Sequence, residues 1–379
     1  MKILHFHDSP HIHGGATQYL NQVLAALSGA GHQNHLFSIG PNIERGNFAH
    51  HHRFEYRWAK SPIQRRKDFF GIHQPLAGKL NAVIAEIAPD LIHIHNCATF
   101  RKTVFSTILY SEPKSVMTVH DFSLNWSASP QLQTGGLKSF LANLANRPQH
   151  NKSRRIILDS VDMFLCPTKA IIDGLNLPAS KSLIHRLPIQ PAAQADLPTD
   201  KLRMFFAGTL FRSKGVDVLL DALSMLEPSI EFELEIAGSG DQLGTLQQQV
   251  TDYGLSDKVR FLGHLSAAEM NGAYQRANLQ VLPSRVPENS PLTVLEAGIR
   301  GRASIASHAG GAPELIPESR GWTFISESSP DLANKISEIA NDLGILAVKG
   351  ENMQKWVHIE CDPPNHWTQL LSHYKQLIS

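Results

Sequence analysis

Short apolar runs alternate with amphipathic stretches over most of the chain, the pattern of strand–helix–strand units built around a parallel sheet. Lys2–His7 predicts a first strand, Gly14-Gly15-Ala16 a turn, and Thr17–Leu27 a helix. Asp90–His95, Ser115–His120 and Met163–Cys166 are further apolar runs of strand length. The tract Pro188–Lys201 contains three prolines and little apolar periodicity, which predicts a linker. A second series follows, with strands over Leu202–Ala207, Phe232–Ala237, Val259–Leu262, Leu279–Pro283 and Ala303–Ala306, and helices over Val216–Leu226 and Leu243–Tyr253. Residues 122–155, rich in Ser, Asn and Gln, predict a loop or insertion. The expected architecture is two α/β domains, 1–195 and 196–361, each a parallel sheet flanked by helices, facing across a cleft. A last helix over 362–379 is expected to pack back on the first domain. In such folds ligands bind at the carboxyl ends of the strands.

Size and charge narrow the partners. A chain of 379 residues exceeds one ordinary core, and 42% hydrophobic with 18% charged residues describes a globular protein. A net charge of +1 argues against a nucleic-acid partner. Two local basic runs, Arg65-Arg66-Lys67 and residues 147–155, are either solvated faces or points of peripheral contact with anionic headgroups. The three cysteines (Cys97, Cys166, Cys361) are odd in number and widely spaced, so neither a disulfide framework nor a zinc knuckle is expected. His and Asp interrupt the N-terminus before a signal-like apolar core forms, and no run approaches the roughly 18 apolar residues of a membrane span. The expected location is the cytoplasm, including a peripheral position at the inner face of the cell membrane. Fifteen of the 20 histidines precede the linker, including His11/His13, His50-His51-His52 and His93/His95. No cysteine or carboxylate stands beside them at ligand spacing, and no metal site is expected.

The densest candidate chemistry is Val286-Pro-Glu288-Asn289-Ser290-Pro291-Leu292-Thr293-Val-Leu-Glu296. Ser290 reads as a helix N-cap and Pro291 as the first helical residue, leaving the N–H groups of Leu292 and Thr293 to face an anion. Glu288 just before that start and Glu296 about two turns in would hold hydroxyls on either side of it. The plain alternative is a surface glutamate followed by an ordinary helical one. Ahead of this, Arg212 and Lys214 lie in a strand-to-helix loop and supply positive charge suited to a diphosphate. No Asp-x-Asp occurs that would hold a divalent ion there. Gly14-Gly15 permits close backbone approach to a ligand, and His120-Asp121 puts an imidazole at a strand end. Gly238-Ser-Gly240 with Gly244 departs from a dinucleotide fingerprint by one residue and reads as a simple turn.

In order and spacing, these segments resemble the retaining glycosyltransferases of family four, the glycosyl transferases group 1. They are Gly14-Gly15-Ala16, His120-Asp121, Gly208…Lys214-Gly215, Ala237-Gly-Ser-Gly240, Val259-Arg-Phe-Leu-Gly263, the Glu288/Glu296 pair and Gly310-Gly-Ala-Pro-Glu314. The resemblance implies two Rossmann-like domains (the B-type, or GT-B, fold) and no cofactor, with a nucleotide-diphosphate sugar as donor substrate and no metal requirement. It implies an acceptor that is a glycan or a lipid-linked sugar, and a role in surface polysaccharide or glycolipid synthesis. Glu296 would bind ribose hydroxyls, Glu288 and Asn289 would lie at the donor sugar, and His120 would contact the sugar at the reacting centre. Lys214 and Arg212 would clamp the diphosphate with the backbone of Leu292 and Thr293. Gly14 and Gly15 would approach the donor from the first domain, and Gly263 would lie near the base. Two departures stand out. Thr209 occupies the place of a frequent family arginine, and Asn289-Ser290-Pro291 replaces the common Gly-Phe-Gly. A same-fold epimerase, phosphorylase or sugar-phosphate synthase, or a non-catalytic nucleotide-sugar sensor, remains the alternative.

Overall fold

The computed structural model describes residues 1–8, 14–40, 50–56, 61, 67–68, 70–124, 137–193 and 195–379, with backbone alone for 137–147. The chain divides into two compact units, Met1–Leu187 with Pro364–Ser379, and Pro188–Pro363. The division falls at the first proline of the Pro188–Lys201 tract, ahead of the expected boundary at 195.

Each unit is a doubly wound parallel α/β sheet. In the first, strands β1 (Lys2–His7), β2 (Gln33–Gly40), β3 (His51–Glu55), β4 (Leu91–Asn96), β5 (Lys114–Thr118), β6 (Met163–Cys166) and β7 (Ser182–Ile184) lie in the order β3-β2-β1-β4-β5-β6-β7. In the second, β8 (Leu202–Ala207), β9 (Phe232–Ala237), β10 (Val259–Gly263), β11 (Leu279–Leu282), β12 (Ala303–Ser307) and β13 (Gly321–Phe324) take the order β10-β9-β8-β11-β12-β13. Strand order reverses at β1/β4 and at β8/β11, the switch points where such sheets open a crevice beyond their carboxyl ends. The central strand β8 is covered on both faces, Leu202, Met204 and Phe206 entering one apolar cluster and Phe205 and Ala207 another, so most of it reads as an apolar run.

The segment expected as a loop over 122–155 is corrected in part. Residues 137–160 form a helix, Leu137–Ser160, which runs through Pro148. Leu137, Phe140, Leu141 and Leu144 stand at helical spacing in the sequence, but the polar residues among them and the internal proline mask it. No helix among the described residues is long and apolar enough to cross a membrane.

The first sheet carries an unusual layer. On β1 and β4, Leu4, Phe6, Ile92 and Ile94 enter the main apolar core, and the two-residue period sends His5, His93 and His95 to the opposite face. That face is closed, and the rings are buried. The Tyr374 hydroxyl of the C-terminal helix Pro363–Ile378 lies 2.5 Å from Nδ1 of His93, and Thr118 lies 2.8 Å from its Nε2. His5 and His95 are 3.0 Å apart, His5 also reaches Asn34 at 3.0 Å, and Tyr19 meets His366 at 3.1 Å. Burial lowers these imidazoles, His5 and His366 to about 4 and His93 and His95 well below the usual range, so the layer is neutral.

Because the folded pKa values lie below the unfolded ones, the stability they carry is present above the unfolded pKa of 6.5 and is lost as pH falls toward 4. Each such histidine steepens the loss by about 1.4 kcal/mol per pH unit. Melting curves between pH 8 and pH 4 should be flat down to about 6.5 and then fall steeply. A flat profile throughout would contradict a buried, neutral layer.

Candidate functional site

In the second unit, the loops that leave β8, β11 and β12 are stitched together around Glu288. Its Oε1 accepts from Lys214 Nζ at 2.6 Å and lies 2.9 Å from Ser284 Oγ. Its backbone forms a parallel bridge to Gly310 and accepts from the N–H of Gly311 at 2.7 Å. Arg285 grips Asp217 through both guanidinium arms at 2.5 and 2.8 Å and donates to the carbonyl of Arg212 at 3.0 Å, while its own N–H donates to Ser213. Lys214 and Glu288 are 29% and 21% exposed, so solvent screens this pair less than a surface one. Two glycines are dictated here. Gly215 (φ +68°) and Gly310 (φ +63°) hold left-handed backbone, and a Cβ on either would strike the carbonyl oxygen of Pro283 or Glu288.

The expected helix start moves by one residue. The helix runs Leu292–Ile299 with Pro291 as its N-cap, not Ser290, because Pro291 has the helical φ of −64° but an extended ψ of 113°. No side chain caps this end, so the N–H groups of Leu292 and Thr293 lack the intrahelical acceptors that later residues find. Glu296 follows on the same helix. Its Oε2 receives the Tyr274 hydroxyl at 3.1 Å, and Arg300 lies over the Tyr274 ring at 4.8 Å. Burial raises the Glu296 carboxyl above its ordinary range, while the Tyr274 hydrogen bond and the Arg300 charge oppose that rise. Among the described residues, neither Oε1 of Glu296 nor Oε2 of Glu288 has a hydrogen-bond partner.

The other predicted residues are placed as follows. Asn289 is buried between Glu288 and the helix start. Arg212 is exposed, fixed through its backbone by Arg285. Gly263 ends β10 with φ +67° and accepts from the N–H of Gly238 at 2.7 Å. A Cβ on Gly238 would meet the Gly208 carbonyl, which explains that glycine by loop packing. Gly14, Gly15 and His120 belong to the first unit. Gly14 is the exposed N-cap of the helix Gly15–Gly29, with open space around its Cβ position among the described residues. His120 follows β5, its ring 5.3 Å from Tyr19, and burial lowers it to about 4, so it is neutral and can accept or donate one hydrogen bond on each nitrogen. His11 and His13 lie outside the described residues. His5, His93 and His95 each place a nitrogen within 4.8 Å of the others, a spacing able to hold a metal ion, although His5 and His93 already use both nitrogens in hydrogen bonds.

Sequence reasoning missed Ser284, Arg285, Tyr274 and Arg300. Arg285 carries a readable signal, a cation directly before the Val286-Pro-Glu288 segment. Tyr274 does not, because only the fold sets it beside Glu296.

Residues 13–182 match the family model described as Glycosyltransferase Family 4, and residues 191–356 match that described as Glycosyl transferases group 1. An uncharacterized glycosyltransferase of Methanocaldococcus jannaschii is 28% identical over 177 residues, 46% of this chain and 45% of that one. The chain spans about half the length of the curated relatives it matches. Among solved structures, sucrose-phosphate synthase of Thermosynechococcus elongatus superposes with a TM-score of 0.80 at 21% identity, covering 99% of this chain and 98% of that one. The Anabaena protein HepE in complex with UDP-glucose gives 0.75 at 19% identity, with 100% of each chain covered. These structural likenesses establish the shared fold.

Replacing Gly310 by Ala should destabilise the second unit by about 2 kcal/mol or more, since it combines left-handed strain with a backbone collision. His308→Ala, on an exposed neighbour, should stay within about 0.5 kcal/mol. Denaturant unfolding of both variants checks this, and equal stabilities would refute the assigned constraint.

Proposed function

This chain belongs to the glycosyl transferases group 1, and on that premise we propose that it moves a glycosyl group, with retention, from a nucleoside diphosphate sugar to a hydroxyl of a glycan or lipid-linked acceptor. The observation that carries the reading is the pairing of two carboxylates across an uncapped helix start. Glu288 and Glu296 each use one oxygen within the protein and have the other available, while Lys214 and the N–H groups of Leu292 and Thr293 supply positive potential. That layout suits a ligand with hydroxyls on both sides of a diphosphate.

On this reading Glu296 Oε1 accepts from the ribose hydroxyls, and Tyr274 fixes the other oxygen. Glu288 Oε2 takes a hydroxyl of the donor sugar. Lys214, with Arg212, neutralises the diphosphate as it leaves, doing without metal what a divalent ion does elsewhere. The bond from the anomeric carbon to the diphosphate oxygen breaks, and the acceptor oxygen bonds to that carbon on the same face. The acceptor proton passes to a diphosphate oxygen. Gly14 and Gly15 approach the donor, and neutral His120 donates a hydrogen bond to the sugar as charge develops. The UDP-glucose named for the Anabaena structure makes a uridine diphosphate sugar the first donor to try. Synthesis of a surface polysaccharide or glycolipid, in the cytoplasm and against the inner face of the membrane, fits such an acceptor.

Calorimetry with nucleoside diphosphates and their sugars tests the site. Lys214→Ala and Glu296→Ala should each weaken donor binding by about 10- to 100-fold, the value of one lost charged hydrogen bond. His120→Ala should lower turnover while leaving donor affinity nearly unchanged. Transfer should persist in a chelator. Unaltered donor affinity in both of the first variants, or complete loss of transfer that a divalent ion restores, would sink the assignment.

A further inference from the structure

The first unit holds a cavity of about 530 Å³, within the size range of small-ligand sites, that no part of the glycosyl-transfer reading uses. Its wall is basic. Lys102 comes from the helix Arg101–Leu109, and Gln149, Lys152 and Ser153 come from one face of the helix Leu137–Ser160, at the three- and four-residue spacing that stacks side chains. Lys67, Phe70 and Gly71 complete it. Lys67 and Lys152, one from each of the two basic runs of the sequence, line the same hollow.

No carboxylate is among the described residues that line this cavity, and none of the three lysines has an ion-pair or hydrogen-bond partner among the described residues. The neighbouring acid, Asp68, is buried and takes the hydroxyl of Tyr56 at 2.5 Å. Lysines elsewhere do find acids, as Lys169 finds Asp173 and Lys201 finds Glu233. Like charges gathered around one hollow repel, and a multiply charged anion reverses that cost. The ammonium groups, the Gln149 amide and the Ser153 hydroxyl are all donors suited to tetrahedral oxyanions. Phe70, edge-on to His150 at 4.7 Å between ring centres, adds an apolar wall.

We propose that this cavity binds the phosphate or diphosphate group of a second ligand, held by Lys67, Lys102 and Lys152. The binding claim stands on the cavity alone; identifying that ligand as the acceptor rests on the glycosyl-transfer reading.

Inorganic pyrophosphate is the probe, titrated into the full-length chain carrying Lys214→Ala so that the second unit contributes little. Adding Lys102→Gln with Lys152→Gln should weaken pyrophosphate binding at least tenfold. The same pair, in the chain with Lys214 intact, should leave nucleoside diphosphate affinity unchanged. Lys152→Glu, a single change on an exposed helical position, should weaken pyrophosphate binding as well and keeps the test valid if the double variant misfolds. Flotation with phosphatidylglycerol–phosphatidylcholine vesicles, lost in these variants and absent with pure phosphatidylcholine, would identify a lipid headgroup. Competition by soluble glycerol phosphate without flotation would identify a free phosphate ester. Pyrophosphate affinity that neither set of substitutions alters would overturn the proposal, whatever becomes of donor binding at Lys214.

Discussion

The second unit's site depends on one carboxylate being held in place. Glu288 is bridged through its backbone to Gly310 and Gly311, which follow β12, and through Oε1 to Lys214 and Ser284, which follow β8 and β11. These strands are neighbours in the order β8-β11-β12, so their carboxyl ends deliver three loops to one place. The pair with Lys214 is partly desolvated. Removing one partner would therefore strand a half-covered charge and cost more than the pair contributes. The same contacts aim the chain into the Leu292–Ile299 helix, so the direction of its uncapped N–H groups follows from where Glu288 is fixed.

The first unit solves burial of polar groups in the opposite way. His5, His93, His95 and His366 sit in positions where an ionised side chain would be costly, and each remains neutral. A neutral imidazole donates once and accepts once, so rings and tyrosine hydroxyls can form chains of hydrogen bonds without net charge. The Tyr374–His93 and Tyr19–His366 bonds both join the C-terminal helix to the rest of this unit. A segment more than 170 residues away along the chain is thus tied to the first fold by hydrogen bonds to its buried histidine and tyrosine.

What the sequence disclosed follows from the range of each interaction. Strand β8 was legible because burial on both faces writes the apolar run Met204-Phe205-Phe206-Ala207. The Glu288/Glu296 segment was legible because a proline, a helix start and two acids fall within one short stretch. The N-cap was misread by one residue because proline fixes φ and says little about its own ψ. Strand β3, His51–Glu55, offers a run dominated by histidine, arginine and glutamate, which no hydrophobic pattern picks out. The Leu137–Ser160 helix was hidden by its polar residues. Tyr274 beside Glu296 and Arg285 across Asp217 join separate elements, and no local spacing encodes such a pairing.

Charge pairing then separates structural cations from those that can meet a ligand. Arg285, with Asp217 and Glu327 both on its guanidinium, has little capacity left for another anion and serves to fix the backbone of Arg212. Lys214 has Glu288, yet that acid still has a free oxygen and the ammonium has further donors, so the pair can hold a hydroxyl and a phosphate at once. Arg212 is held through its carbonyl, and among the described residues its guanidinium has no partner. Lys67, Lys102 and Lys152 have no acid partner among the described residues, so a bound anion would relieve their mutual repulsion. The two units therefore differ in kind: one pairs its cation with a carboxylate at the site, whereas the described residues lining the hollow of the other include lysines and no carboxylate.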